Sequence, residues 1–542
     1  MSPADSTRRV RREAERRSKA VLSPIPATGA DPEATRELPG ERRWLLALLA
    51  AAFLFRTLGT WGTFLVPDEA IFTAIAGADS LTSVYRLTIE QAHPPLYFFL
   101  LHFWARLVRS DFGLRLPSIL MATAAVAFLF TSFRRRMGFL PAFAAASLLA
   151  LSPSVVDLTS EVRQYSLLLF LLSAALLVAT PRTGLLSAGR LAGIGGLLIT
   201  AEATHYSGVL FAASFLAALL ADLWLRRAPR RTWGAFWAVT ASVVLFAALL
   251  WSSHVNALRG GTLEAEVRFG WLRPFYWQQG EGLVGFLSGA SAGVFWFLLG
   301  LPAVAGGAAL VALVAPAARA RTDPGTTFLL ALPFLVAFAA AALTLYPLGA
   351  SRHSAWLLPT ASAALCLPLA WIKPAASRWI LPTLAALLPI WALTAHSSLI
   401  SSIPRTDRKY ENLEGLLSTL SQRVDPSDVV FIDKQTASLL RRYLPGSLTA
   451  AAPPTSAFQR ETLGGMNVWV SRIWLLDAPT FVRELTLLRK EAGLAEGQRV
   501  WVVNAGSAAA LLPQLVSAYP GAPVTFPAGF GKSLWMFQIA LP

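Results

Sequence analysis

The sequence is poor in charged residues, which make up only 14% of its 542 positions, whereas hydrophobic residues make up 55%. A soluble globular protein carries roughly 25% charged residues, so this chain has too little polar surface to cover itself in water. That shortage excludes a soluble enzyme, a disordered protein and a fibrous repeat. Cysteine is nearly absent too, and the single Cys366 excludes an intramolecular disulfide and a cysteine-based metal site.

Hydropathy divides the chain into three regions. Residues 1–43 are polar and basic, contain no apolar signal-peptide core, and predict a disordered cytoplasmic tail. Residues 44–403 form a long apolar block with so few charges that we expect it to lie in a bilayer. Within this block, two larger loops, 67–113 and 255–286, hold most of the acidic residues.

Residues 404–542 have a different character, because short apolar runs alternate there with helical stretches. The runs 428–433, 499–504 and 533–541 predict strands, and 507–519 predicts a helix. This alternation predicts a small α/β domain after the membrane block. The domain lacks a GxGxxG turn, so no nucleotide is expected there.

Eleven apolar runs in the membrane block are long enough to cross roughly 30 Å of hydrocarbon. The predicted fold class is therefore a polytopic α-helical membrane protein with about eleven transmembrane helices. The predicted spans are 44–66, 114–133, 138–156, 161–180, 190–204, 206–225, 234–254, 287–315, 327–346, 354–372 and 379–400. The segment 94–108 is apolar but short, and we expect it to lie on the outer surface without crossing.

The distribution of basic residues supports this topology. If 94–108 does not cross, the arginine clusters after the second, fourth and sixth spans all face the cytoplasm together with the N-terminal tail. The net charge of +16 is then mainly a topology signal, and no nucleic-acid partner is expected. This arrangement predicts a multi-pass protein of the plasma (inner) membrane whose C-terminal domain is extracytoplasmic.

Acidic residues gather on the opposite side in this topology. Of the thirteen acidic residues in the membrane block, only Asp222 and Asp323 face the cytoplasm. Acidic residues have little influence on membrane orientation. Their uneven distribution is therefore independent of the positive-inside rule, from which the orientation was derived. It indicates that the chemistry is done on the external face.

The first candidate residues follow the first span. Asp68 and Glu69 are adjacent carboxylates at the membrane interface, where one can serve as a general base. The competing interpretation is that they cap the helix that begins after Pro67. His93 lies in the same loop, beside the Pro94-Pro95 pair, and either functions there or anchors an interfacial helix with the aromatic residues around it.

Further candidates lie at later junctions on the outer side. Glu161 and Arg163 open an otherwise apolar helix, where they act in catalysis or form a mutual salt bridge. An anionic headgroup needs guanidinium groups, because these bind phosphate in a bidentate manner. Arg352-His353 before the tenth span, with Arg268 and Arg273 in the loop 255–286, are candidates for such binding, and headgroup contact without catalysis is the competing interpretation. His205 and Tyr206 lie at another outer junction, between the fifth and sixth spans.

The order of these motifs resembles a known family. The chain has an acidic pair after its first span, His-Pro-Pro-Leu-Tyr at 93–97, Arg-Leu-Pro-Ser at 115–118 and Glu-x-Arg-x-Tyr-Ser at 161–166. Together they resemble the bacterial GT-C membrane glycosyltransferases of family 39. These are the protein O-mannosyltransferase-like enzymes and their aminoarabinose- and galacturonosyl-transferring relatives. The resemblance implies a polyprenyl-phosphate sugar as donor, presented at the outer leaflet.

The resemblance also implies roles for the candidate residues. Asp68 corresponds to the catalytic base and Glu69 to its support, whereas His93 would line the acceptor side. Glu161 would be the second-loop carboxylate with Arg163 beside it. His205 and Tyr206 match positions near the donor phosphate.

The chemistry of the residues agrees with this resemblance. A lipid-phosphate leaving group needs positive charge as the glycosidic bond breaks, and Arg352 is the first choice. One base without a second nucleophile implies direct displacement with inversion. No cofactor is expected, and a divalent metal is compatible with a one-phosphate leaving group but is not predicted. The acceptor, whether glycan, lipid or protein, is not defined by the sequence.

Two other functions compete with a glycosyltransferase. A polytopic lipid or solute transporter, such as a flippase, would also explain many spans and intramembrane charges. Transporters of this kind often show repeated halves, which an odd number of spans does not favour. The other alternative is a non-catalytic membrane assembly factor whose external domain binds a partner.

Overall fold

The computed structural model describes residues 40–180, 186–259, 270, 272–278, 280–300, 324–371, 383, 403–444, 446–448, 456–473, 478–505 and 525–541. Four predicted features therefore lie wholly or largely outside the described residues. They are the tail at 1–39, the later part of the span 287–315, nearly all of the span 379–400, and the helix 507–519.

Helices make up most of the described membrane block. In chain order they are α1 (Glu41–Leu58), α2 (Pro67–Ala76), α3 (Leu81–Glu90), α4 (Leu96–Leu107), α5 (Asp111–Met137), α6 (Phe139–Leu151), α7 (Pro153–Ser160), α8 (Tyr165–Val178), α9 (Ala188–Thr204), α10 (Ser207–Leu225), α11 (Arg230–Leu250), α12 (Leu283–Leu299), α13 (Pro324–Ala342) and α14 (Leu358–Cys366). A π-helical turn, Trp251–Val255, continues α11 to Leu258. A 3₁₀ turn, Arg352–Leu357, precedes α14.

Four of the described helices are long and apolar enough to cross a bilayer, namely α5, α10, α11 with its continuation, and α13. A fifth candidate is the pair α6 and α7, which is bent by 58°. α4 has 12 residues and a length of about 18 Å, which agrees with a segment that does not cross. The described helices thus support a multi-pass protein, whereas the number eleven stays a prediction.

The bend between α6 and α7 has a clear cause. Pro153 lacks an N–H group, so the carbonyl oxygen four residues earlier, in Leu149, loses its helical donor. The fully buried Arg56 of α1 replaces that donor by binding the oxygens of Leu149 at 3.1 Å and Ala150 at 2.8 Å. Its Nε donates to Thr159 Oγ1 at 2.9 Å. A buried cation therefore stabilises the broken helix that leads to Glu161.

The C-terminal region contains three further helices and a seven-stranded sheet. The helices are α15 (Tyr410–Arg423), α16 (Lys434–Tyr443) and α17 (Ala478–Ala492), and the strands are β1 (Val429–Ile432), β2 (Gly446–Leu448), β3 (Phe458–Leu463), β4 (Met466–Ser471), β5 (Arg499–Asn504), β6 (Thr525–Phe530) and β7 (Leu534–Ala540). The strand order is β2-β3-β4-β1-β5-β7-β6. β1 is parallel to β4 and β5, and the other pairs are antiparallel.

Both faces of this sheet are buried. Successive side chains of a strand point to opposite faces, so Val430 and Ile432 join one core and Phe431 joins the other. α15 and α16 cover the first face, whereas α17 covers the second. The strands expected at 428–433, 499–504 and 533–541 are present as β1, β5 and β7.

The sheet region packs directly against the membrane region. Phe64 and Val66, which precede α2, belong to the same buried core as Ile432 and Leu440. Leu65 N also donates to the hydroxyl oxygen of Tyr443 at 2.7 Å. The start of α2, where the acidic pair lies, is therefore built partly by the C-terminal region.

Candidate active site

The acidic pair occupies the first turn of α2. Pro67 stands at the first helical position, where its missing N–H group has no consequence. Val66 before it is extended, and its N–H donates to Glu69 Oε2 at 3.0 Å. This local arrangement starts the helix at Pro67 and turns the two neighbouring carboxylates in different directions.

Glu69 points into the protein and is fully buried. Arg115 from the Arg-Leu-Pro-Ser motif binds both of its oxygens, with Nε at 2.7 Å from Oε1. Oε1 also accepts the N–H of Val162 at 2.8 Å. Glu69 therefore joins α2, α5 and the turn after α7, and its contacts are those of a positioning residue.

Asp68 points the other way, towards two guanidinium groups. Its Oδ2 accepts from Arg163 Nη1 at 2.8 Å and from Arg352 Nη1 at 2.7 Å. The Asp68 side chain is 22% exposed and that of Arg352 is 25% exposed, whereas Arg163 is only 2% exposed. Oδ1 of Asp68 receives no hydrogen bond from the described residues. The site thus has an accessible side, formed by Asp68 and Arg352.

The charges around Asp68 do not balance. Glu69, Asp157 and Glu161 each have one arginine as a close partner, within 3.0 Å. Asp68, in contrast, shares a single oxygen between two arginines. Burial alone would raise the pKa of the Asp68 carboxyl, but Arg163 and Arg352 outweigh burial and hold that pKa below its ordinary value. Asp68 is therefore ionised, and in the ion pairs of the described residues here five arginines face four carboxylates.

Three of the predicted residues are histidines that lie close to these arginines. Burial, together with Arg163 and Arg352, lowers the pKa of His205 to about 3. Burial and the same arginines also lower the pKa values of His93 and His353 well below 6.5. All three imidazoles are therefore neutral at pH 7. Each can donate or accept a hydrogen bond without adding a charge.

Local contacts orient two of these histidines. His93 Nδ1 lies 3.3 Å from the amide nitrogen of Gln164, and its ring stacks with that of Phe98. His205 Nδ1 lies 2.7 Å from Ser207 Oγ. The structure thus brings together five predicted residues around Asp68 that the sequence separates widely. They are His93, Arg163, His205, Arg352 and His353.

Arg163 is held by two aromatic rings as well as by Asp68. Its guanidinium carbon lies 5.5 Å from the centre of the Phe72 ring and 5.3 Å from that of Tyr165. These are cation–π distances. A predicted salt bridge between Arg163 and Glu161 is present only at 3.9 Å, so the main anionic partner of Arg163 is Asp68.

Glu161 pairs instead with a residue that sequence reasoning missed. Arg408, from the segment after the membrane block, places Nη1 3.0 Å from Glu161 Oε1, and both side chains are almost fully buried. Arg405 from the same segment pairs with Asp157. No sequence motif identifies these two arginines as site residues. The only signal in the sequence is that buried acids at 157 and 161 need cationic partners.

Tyr206 lies apart from the arginines. Its hydroxyl contacts His254 Nδ1 at 2.6 Å, and His254 Nε2 contacts Thr88 Oγ1 at 3.3 Å. Tyr85 packs against the same histidine. Tyr206 thus belongs to a separate polar group between α3 and the π-helical turn, and its contact with the donor phosphate stays a prediction.

The part of the chain that the structure describes contains no group of three or more His, Cys, Asp or Glu side chains arranged to hold a metal ion. Cys366 is buried in α14. The described side chains around Asp68 supply one ionised carboxylate, two arginines and three neutral imidazoles. Such a set can remove a proton from a hydroxyl group and stabilise an anionic leaving group.

Comparisons with known proteins indicate a related family and a related fold. Residues 92–251 match the model of the dolichyl-phosphate-mannose-protein mannosyltransferase family. ArnT from Cupriavidus metallidurans in the apo state is similar in structure, with a TM-score of 0.50 and 12% identity over 92% of this chain and 98% of that chain. No curated protein sequence matches the chain.

Two further solved structures are similar at lower scores. ArnT from the same organism bound to undecaprenyl phosphate has a TM-score of 0.44 and 13% identity over 92% of this chain and 98% of that chain. The oligosaccharyltransferase AglB from Archaeoglobus fulgidus, in complex with an inhibitory peptide and a dolichol-phosphate, has a TM-score of 0.49 and 12% identity. That match covers 93% of this chain and 75% of that chain.

The chain is a polytopic helical membrane protein with the GT-C fold. It is a glycosyltransferase, and over residues 92–251 it is similar to the protein mannosyltransferase family that the order of its sequence motifs predicts.

Proposed function

We propose that the protein transfers a sugar from a polyprenyl-phosphate donor to an acceptor hydroxyl group at the extracytoplasmic face of the plasma membrane. The observation that carries the proposal is the excess of positive charge at Asp68, where two guanidinium groups share one carboxylate oxygen at 2.7 and 2.8 Å. Asp68 offsets one of these two charges, and Arg352 is 25% exposed, so a donor phosphate can bind there as a second anion.

Asp68 is the proposed base. Its unoccupied oxygen, Oδ1, takes the proton of the acceptor hydroxyl group, and the acceptor oxygen attacks the anomeric carbon of the sugar. The bond between that carbon and the phosphate oxygen breaks, and its electron pair leaves with the lipid phosphate. Arg352 stabilises the developing charge. A single displacement of this kind inverts the anomeric carbon, and it calls for no resident cofactor.

The family description supports the choice of donor, because it names a sugar carried on dolichyl phosphate. Such a donor carries a single phosphate, which matches the one surplus charge of the site. His93, His205 and His353 surround the arginines as neutral groups and can form hydrogen bonds with phosphate or sugar oxygens. The sugar and the acceptor are not defined by these contacts.

The proposed orientation rests on α5. This helix has 27 residues and spans about 40 Å, with Arg115 near the site end and Arg134, Arg135 and Arg136 at the other end. The positive-inside rule predicts that this triplet faces the cytoplasm and that the site and the sheet region lie on the external side. Labelling of Asp79→Cys and Arg227→Cys in a Cys366→Ser background tests this, since only Asp79→Cys should react with an impermeant reagent outside whole cells.

The decisive experiment uses the full chain, purified into lipid vesicles. We expect it to consume a radiolabelled polyprenyl-phosphate sugar when a membrane extract supplies the acceptor, and to release unglycosylated lipid phosphate. Asp68→Asn should bind the lipid without consuming it. Failure of the wild-type protein to consume any such donor would contradict the proposal. Movement of intact donor between leaflets without consumption would instead indicate the transporter alternative.

A further inference from the structure

Resting on the proposed function, we propose that the segment 403–409, which links the membrane and sheet regions, completes the active site. In this proposal Arg408 is a positioning residue that holds Glu161, and through the turn 161–163 it holds the Arg163 guanidinium against Asp68. The sheet region is then required for the glycosyl-transfer reaction.

The linking segment first fixes the chain just before Asp68. The carbonyl oxygen of Arg408 accepts the N–H of Phe64 at 3.0 Å, and Lys409 pairs with Thr63 in an antiparallel bridge. Phe64 and Val66 then enter the core of the sheet region. The backbone that leads into α2 is therefore held by the linking segment on one side and by the sheet region on the other.

The Arg408 side chain next fixes the turn that carries Arg163. Its Nε donates to Ile403 O at 2.7 Å, and its Nη1 lies 3.0 Å from Glu161 Oε1. The side chains of Arg408 and Glu161 are 3% and 0% exposed. The pair is thus shielded from water, and loss of the cation would leave a buried carboxylate without its closest counter-ion.

Glu161 transmits this constraint along the turn. Its carbonyl oxygen accepts the N–H of Arg163 at 2.8 Å, and the intervening Val162 N–H donates to Glu69 at 2.8 Å. Arg163 then contacts Asp68 at 2.8 Å. A shift of Glu161 therefore moves one of the two arginines that hold the proposed base.

Arg405 provides a second, parallel anchor. It pairs with Asp157 of α7, one turn before Glu161. Its guanidinium packs so closely on Gly59 that an added Cβ there would lie 2.6 Å from Nη1. Arg405 and Arg408 of this short segment thus form ion pairs with Asp157 and Glu161. A linker that only joined two regions would not need these pairs.

The test compares full-length variants in the transfer assay. For Arg408→Met we expect kcat to fall on the order of 100-fold, because a misplacement of about 1 Å costs that much. The Kd for polyprenyl phosphate should change much less, because the accessible Arg352 lies on a different segment, the 3₁₀ turn Arg352–Leu357. Arg408→Lys should recover part of the loss. Arg441→Met is the matched control, since it breaks an ion pair with Glu461 inside the sheet region and should leave kcat near that of the wild type.

Folding and function can be separated by a double variant. Arg408→Met with Glu161→Gln removes both members of the buried pair, so the melting temperature should recover while kcat stays low. Wild-type kcat in Arg408→Met or in the double variant would overturn the inference. If the wild-type protein itself consumes no donor, the proposed function fails, which is a different result.

A readout without turnover tests the inference in either case. Hydrogen–deuterium exchange of the peptide that contains Val162 and Arg163 should accelerate in Arg408→Met and not in Arg441→Met. Unchanged exchange in both variants would show that Arg408 does not hold the turn, whatever the activity of the protein.

Discussion

Arg352 donates a hydrogen bond from Nη1 to Asp68 Oδ2 at 2.7 Å across a sequence separation of 284 residues. Arg163 donates to the same oxygen at 2.8 Å. The proposed base is therefore neutralised by the groups that would bind the donor phosphate. A phosphate that arrives at Arg352 competes with Asp68 for this guanidinium, so donor binding would free the carboxylate for its task.

Asp68→Asn tests this competition because it should lower activity without weakening lipid binding. Loss of the base should lower kcat by on the order of 10²–10⁴-fold. Affinity for polyprenyl phosphate should stay equal or rise, because both guanidinium groups lose a competing anion. Transfer assays and lipid-binding titrations measure the two quantities. Asp79→Asn, at an exposed acid of the same loop, is the control, and weaker lipid binding by Asp68→Asn alone would contradict the competition.

Arg352→Gln should shift the pH dependence of the reaction. Since Arg163 and Arg352 hold the pKa of Asp68 below its ordinary value of about 4, kcat/KM of the wild-type protein should show no loss of base at pH 5. Removal of the Arg352 charge favours the protonated carboxyl, so its pKa rises. The acid limb of the kcat/KM profile, which reports the free enzyme, should therefore move to higher pH. An unmoved limb would mean that another group is the base.

Glu69→Gln tests the positioning role of the second acid. The substitution leaves Arg115 buried without its anionic partner, which typically costs about 3–5 kcal/mol. We expect a clear fall in the melting temperature, with a loss of activity that follows the loss of folded protein. Glu90→Gln, at an exposed position at the end of α3, is the matched control. A fully stable but inactive Glu69→Gln would instead indicate a direct part in the reaction.

The sequence was sufficient to predict the helical membrane fold and several of the residues that the structure groups around Asp68. Span-length apolar runs predict helices because the bilayer demands them, and ionisable groups at span ends predict function because their burial is costly. Asp68, Arg163 and Arg352 were found in this way.

Other features could not be predicted, for physical reasons. The partners of Glu161 and Asp157 come from residues 405 and 408, and an ion pair over such a separation leaves no local periodicity. The separate roles of the two adjacent acids depend on the direction in which α2 turns each side chain. That direction is set by Arg115, which the sequence places 46 residues away from Glu69.

Tyr206→Phe tests the role of Tyr206. The motif resemblance implies a contact with the donor phosphate, whereas the structure shows a contact with His254. The Tyr206 hydroxyl contacts His254 Nδ1 at 2.6 Å, so its loss should cost about 1 kcal/mol of stability, as for an ordinary hydrogen bond. Because Tyr206 does not reach the arginines, the KM for the donor should stay within about twofold of wild type, a difference of less than 0.5 kcal/mol. His205→Ala, which removes an imidazole whose pKa Arg163 and Arg352 lower, should raise that KM in the same assay. A tenfold rise of KM in Tyr206→Phe would restore the role that the motif implies.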